Sequence, residues 1–82
     1  MKRIKAKIAE KSIKQIKINT DFIRLDSALK LADLVQSGGH AKAVIQNGEV
    51  SVNGEICLSR GKKLRAGDKF EFELYVVEVV NE

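Results

Sequence analysis

Proline and tryptophan are absent from this chain, and cysteine, methionine, tyrosine and histidine occur once each. Each scarcity excludes something. Cys57 alone can form no intrachain disulfide framework, and a zinc site would lack three good ligands. No apolar run approaches the roughly 18 residues a membrane-spanning helix needs. The opening Met1-Lys2-Arg3 is followed by no apolar h-region, so no secretory signal is expected. The aromatics are Phe22, Phe70, Phe72 and Tyr75, and three fall on what reads as the last strand. That distribution argues against a base-stacking platform of the kind that reads single strands. With His40 as the only imidazole and Cys57 as the only thiol, catalytic constellations are thin and no cofactor or metal is expected. Cys57, flanked by Ile56 and Leu58, reads as a buried, inert strand residue. The expectation is a cytoplasmic domain that is not an enzyme and has no membrane attachment.

What is present is charge and a small core. The 82 residues suffice for one domain, and 44 % hydrophobic with 32 % charged residues is a globular mixture. The net charge of +4 hides an uneven distribution. Residues 1–17 carry seven basic side chains and one acid, residues 18–69 eight and six, and residues 70–82 four acids with no base. A polarised surface that attracts a polyanion is one implication, and solubility alone is the other.

The pattern along the chain predicts an α+β fold. Residues 1–15 read as a basic N-terminal arm and 16–82 as a single domain. Ile16-Lys17-Ile18 alternates as a short strand. Leu25, Ala28, Leu29, Ala32 and Val35 recur at helical spacing, predicting a helix over 24–35 capped by Thr20 or Asp21, with Asp26 favourable in its first turn. Ser37 is the N-cap candidate of a second helix, with Ala41, Val44 and Ile45 as its stripe and Asn47-Gly48 as its stop. Asn53-Gly54 predicts a two-residue hairpin turn, because both positions need φ > 0. Residues 59–68 read as a basic loop, followed by one strand from Lys69 with Phe70, Phe72 and Leu74 on one face; the alternation breaks at Val76-Val77, where a bulge, a bend or a strand covered on both faces is expected.

Two constellations bear on function. Ser37-Gly38-Gly39-His40-Ala41-Lys42 opens a helix, where unpaired N–H groups and the helix dipole favour an anion and two glycines let it approach. The alternative is a plain helix–helix turn. Arg60-Gly61-Lys62-Lys63-Leu64-Arg65 places four cations in six residues, enough to track a sugar-phosphate backbone or simply to keep a loop solvated.

Taken in order, Arg24-Leu25-Asp26-x-x-Leu29, then Ser37-x-x-x-Ala41-x-x-x-Ile45-x-x-Gly48-x-Val50-x-Val52-Asn53-Gly54, then Gly67-Asp68, resembles the S-four RNA-binding domain. That module is named after a small-subunit ribosomal protein. It recurs in pseudouridine synthases, tyrosyl-tRNA synthetases and small ribosome-associated proteins. The Ser-Gly-Gly-x-Ala-Lys and Arg-Gly-Lys-Lys-Leu runs further resemble the stand-alone YaaA/YbcJ-like subgroup. The resemblance implies two short helices packed on a small, mostly antiparallel sheet, with RNA bound at both helix starts and the basic loop. Carried across, it nominates Arg24, Ser37, Lys42 and the cations Arg60, Lys62, Lys63 and Arg65, beside the backbone site at Gly38, Gly39 and His40. Gly38 departs from the arginine common at its position. The expected partner is structured RNA, ribosomal RNA first and tRNA second, on or off a ribosomal subunit, with the protein a monomer. The alternatives are a tRNA or stalled-subunit factor, the RNA-binding piece of a modifying enzyme, for which residues beyond the matched region leave no room, and a protein–protein adaptor using 75–82 as an exposed sheet edge.

Overall fold

The computed structural model describes residues 11–82. The first ten residues of the basic arm, with Lys2, Arg3, Lys5 and Lys7, lie outside the described residues. Strand β1, Ser12–Ile18, starts four residues before the predicted Ile16. It is followed by β2 (Ile23–Arg24), α1 (Leu25–Leu31), α2 (Gly38–Gln46), β3 (Val50–Val52), β4 (Glu55–Ile56), β5 (Lys63–Leu64), β6 (Lys69–Phe72) and β7 (Tyr75–Asn81).

Five strands form one sheet in the order β1-β7-β6-β3-β4, parallel between β1 and β7 and antiparallel elsewhere. Strands β2 and β5 form a separate antiparallel ribbon. Alternation sorts the large sheet: Ile16, Ile18, Val50, Val52, Phe70, Phe72, Val77 and Val79 are buried, and they meet Leu25, Ala28, Leu29, Ala41, Val44 and Ile45 from the two helices. The architecture is the expected α+β one of two packed helices on a mostly antiparallel sheet.

Local signals hold where they are strongest. Asn53 (φ 50°) and Gly54 (φ 91°) turn the β3–β4 hairpin as the pair predicts. Ser37 caps α2 by accepting the His40 N–H at 3.1 Å, and Asn47 with Gly48 (φ 77°) ends it. Other expectations change. Helix α1 stops at Leu31, where the chain turns through Asp33 (φ 64°), although Ala32 and Val35 stay buried. Its N-cap is Arg24 with no side-chain cap bond, so neither Thr20 nor Asp21 caps it; the Thr20 hydroxyl instead donates to the Phe22 carbonyl at 2.8 Å.

The predicted last strand is two strands. Phe72 pairs with Tyr75 across a tight turn at Glu73-Leu74, with Glu73 at φ 55° and Leu74 exposed, so the break falls there and not at Val76-Val77. Strand β7 then runs between β6 and β1 as an interior strand. Its backbone is paired on both sides, which removes the exposed edge the adaptor reading needed. Cys57 lies just past β4, partly exposed, with its thiol 3.5 Å from the Ser59 carbonyl. It is not the buried strand residue expected, because β4 ends at Ile56 and leaves this flank of the sheet open.

Candidate nucleic-acid interface

The basic loop is not free. Its middle is β5, and Lys63 and Leu64 pair with Arg24 and Ile23 of β2. Leu64 is fully buried and anchors the ribbon to the core. The loop also closes over the start of α1: the Leu25 N–H donates to the Lys62 carbonyl at 2.8 Å and the Asp26 N–H to the Arg60 carbonyl at 3.1 Å. These bonds fix the backbone that carries Arg60, Lys62 and Lys63, so their side chains project from an ordered base. They also consume N–H groups at the α1 start, which therefore offers no open backbone anion site; what it contributes is the Arg24 side chain.

Arg24 stands directly opposite Lys63 in the ribbon. Like charges in facing positions repel. Asp26 offsets part of this, accepting from Arg24 Nη2 at 3.1 Å while its other oxygen accepts the Ser27 N–H at 2.8 Å. The guanidinium has five donors, so one contact to Asp26 leaves most of the fork available. A Cβ on Gly61 would sit 3.8 Å from Arg24 Nη2, so the guanidinium lies alongside the loop backbone. Lys63 Nζ sits 4.9 Å from the centre of the Phe22 ring. Among the described residues, Arg60, Lys62, Lys63 and Arg65 make no ion pair within 4 Å and are all exposed.

A clasp holds the far end of this loop. Asp68 accepts the Arg65 N–H at 2.7 Å and the Asn53 side-chain amide at 3.2 Å, while Asn53 Oδ1 accepts the Lys69 N–H at 3.0 Å. The Arg65 N–H, the Asn53 amide and the charges of Lys62 and Arg65 hold the Asp68 carboxyl below its usual range, against a smaller opposing effect of burial. In the sequence, Asn53 reads as a turn residue and Asp68 as the end of the basic loop, and both belong to the family motif; the side-chain link across fifteen positions has no sequence signal.

The second cluster is local. At the α2 start, the Ser37 hydroxyl holds the His40 N–H and the Ser37 carbonyl the Ala41 N–H. The N–H groups of Gly38 and Gly39 have no acceptor among the described residues, and a Cβ at Gly38 would meet nothing within 4 Å. His40 is partly committed, its Nδ1 accepting the Gln36 N–H at 3.4 Å, while its side chain is exposed. Lys42 is exposed. No hydrogen bond or ion pair among the described residues joins this cluster to the ribbon.

The basic N-terminal strand does not simply extend this surface. Lys11 pairs with Glu71, Gln15 Nε2 donates to Glu78 at 3.2 Å, and Lys14 Nζ lies 5.5 Å over the Tyr75 ring. Placing β1 beside β7 sets the basic segment against the acidic one, so part of the polarity seen along the sequence is neutralised in space. Phe70 and Phe72 are buried, which removes them as stacking surfaces. No group of three or more metal-ligating side chains occurs among the described residues.

Two packed helices on a small, mostly antiparallel mixed sheet place the chain in the α+β class. The particular family follows from comparison: the S4 domain matches residues 16–80, and the chain belongs to that family of RNA-binding modules. It is also 50 % identical over 58 residues to the "Probable ribosome maturation protein RlbA" of Bacillus subtilis (strain 168), a match covering 71 % of this chain and 82 % of the relative.

Proposed function

We propose that this protein binds structured RNA, ribosomal RNA foremost, through phosphate and shape contacts, and serves ribosome maturation without catalysing a reaction. The facing pair Arg24 and Lys63 carries the reading. Folding holds two cations opposite each other on a rigid ribbon, and a bridging phosphate turns that repulsion into attraction. Arg60, Lys62 and Arg65 extend the contact along a sugar-phosphate backbone, and the open Gly38 and Gly39 N–H groups with Lys42 offer a second phosphate position. The name of the Bacillus relative supports a ribosomal setting, which would be cytoplasmic. No observation favours tRNA over ribosomal RNA.

Titration of purified ribosomal RNA from low to moderate salt tests the proposal. Replacing Lys62 and Lys63 together by Gln is expected to flatten the slope of log K against log salt by roughly 1.4–1.8, equivalent to about 25- to 60-fold weaker binding at 0.1 M salt. The β2–β5 backbone bonds do not use these side chains, so the variant should fold. Matching slopes for wild type and variant would remove the ribbon from the RNA surface.

A further inference from the structure

We propose that Phe22 is a stacking position for a single unpaired purine of the RNA, set beside the phosphate contacts of Arg24 and Lys63. The inference rests on the RNA-binding reading and adds what part of the RNA the site would take. Phe22 belongs neither to the core nor to the partly buried side chains packed against it, which are Ile23, Leu34, Cys57 and Tyr75. Phe22 is half-buried rather than sealed into the core, while Ile23 and Leu64, the next register pair, secure the ribbon just inside it.

The backbone that carries the ring is held in place. Thr20 donates to the Phe22 carbonyl at 2.8 Å, and Thr20, Asp21 and Phe22 border a shallow, open depression beside the ring. Lys63 Nζ lies 4.9 Å from the ring centre, and Arg24 is two residues on. One aromatic face thus sits under a cation, with Arg24 facing that same lysine across the ribbon, the combination that binds a nucleotide by base and phosphate at once. On binding, the flexible lysine stem leaves the ring for the phosphate and the base takes its place. The exposed Asp21 carboxylate accepts only, so it suits a base edge rich in donors; guanine, with its N1–H and exocyclic amine, is the best match. Bases inside a duplex cannot use this position because both their faces are covered, so the recognised element is a bulge or loop.

The chain has no tryptophan, so Phe22→Trp installs a single reporter at the stacking position. The probes are a synthetic RNA hairpin with one bulged guanine and the same hairpin with that guanine deleted, titrated at low salt. The bulged RNA should quench the tryptophan emission and the fully paired RNA should not. Wild type should prefer the bulged hairpin by about 5- to 150-fold, the worth of one stacked base. Phe22→Leu should bring that ratio close to one while leaving the salt slope unchanged. Salt-dependent binding of both hairpins with equal affinity and no quenching would overturn the stacking position and leave the phosphate reading standing. Failure of wild type to bind either hairpin at low salt would overturn both. A poorly folded Phe22→Leu would leave the emission of Phe22→Trp to decide.

Discussion

Helices α1 and α2 both begin beside cations, but their first backbone N–H groups end differently. At α1, the Lys62 and Arg60 carbonyls take the N–H groups of Leu25 and Asp26, and the Asp26 carboxylate takes that of Ser27. At α2, Ser37 satisfies His40 and Ala41, and those of Gly38 and Gly39 have no acceptor among the described residues. How many backbone N–H groups a helix start leaves open therefore depends on what folds against it as well as on its own capping residues. At α1 the first backbone N–H groups are taken and the Arg24 side chain remains exposed. At α2 two backbone N–H groups stay open among the described residues, beside the exposed Lys42.

The sharpest way to break this contrast is to unpin the ribbon. Leu64→Ala removes the fully buried side chain under β5 and should destabilise the protein by about 2–5 kcal/mol, read by chemical denaturation. If the ribbon were merely a loop lying on the surface, the loss would stay within about 0.5 kcal/mol.

A smaller effect should come from the open helix start. Gly39→Glu puts a carboxylate in the first turn of α2, where a Cβ has only Ser37 Oγ nearby at 3.9 Å. Acids are tolerated there, so stability should hold, while RNA affinity at low salt should fall about tenfold, or 1.4 kcal/mol, against no change for the control Glu55→Ala. Equal affinities would reduce Gly38-Gly39 to a turn.

The smallest expected effect concerns the clasp. The Asp68 carboxyl is held below its usual range by the Arg65 N–H first, then by Asn53 and the nearby cations. A depressed carboxyl stabilises the fold above its unfolded pKa, near 3.9, and the contribution is lost as pH falls through the lower folded value. The stability difference between wild type and Asp68→Asn should accordingly be steady from pH 7 to about 5 and shrink below about pH 4. A difference independent of pH would mean that the carboxylate charge plays no part in holding Arg65.

Particular residues show how far sequence reading reached. Ser37, Asn53-Gly54 and Asn47-Gly48 were legible because each acts through backbone geometry within four residues. The stripes of both helices were legible for the same reason, since 3.6-residue spacing is a local property. The Glu73-Leu74 turn was not, because it uses neither glycine nor asparagine; the pairing of Phe72 with Tyr75 imposes it. Among the residues proposed to meet RNA, the cations of 60–65 stood out by composition, whereas Phe22 carried no signal until Lys63 was brought over its ring.

The sequence by itself determined the two helices, the first hairpin, the family motif and which side chains bear positive charge. Only the tertiary structure decided that β7 is an interior strand, that Lys11 meets Glu71 and not an open surface, and that Arg24 faces Lys63. The reason is separation along the chain. Local geometry and spacing fix a turn or a helix face, but a pair such as Arg24 and Lys63, thirty-nine positions apart, forms only when Ile23 and Leu64 find their place against the core.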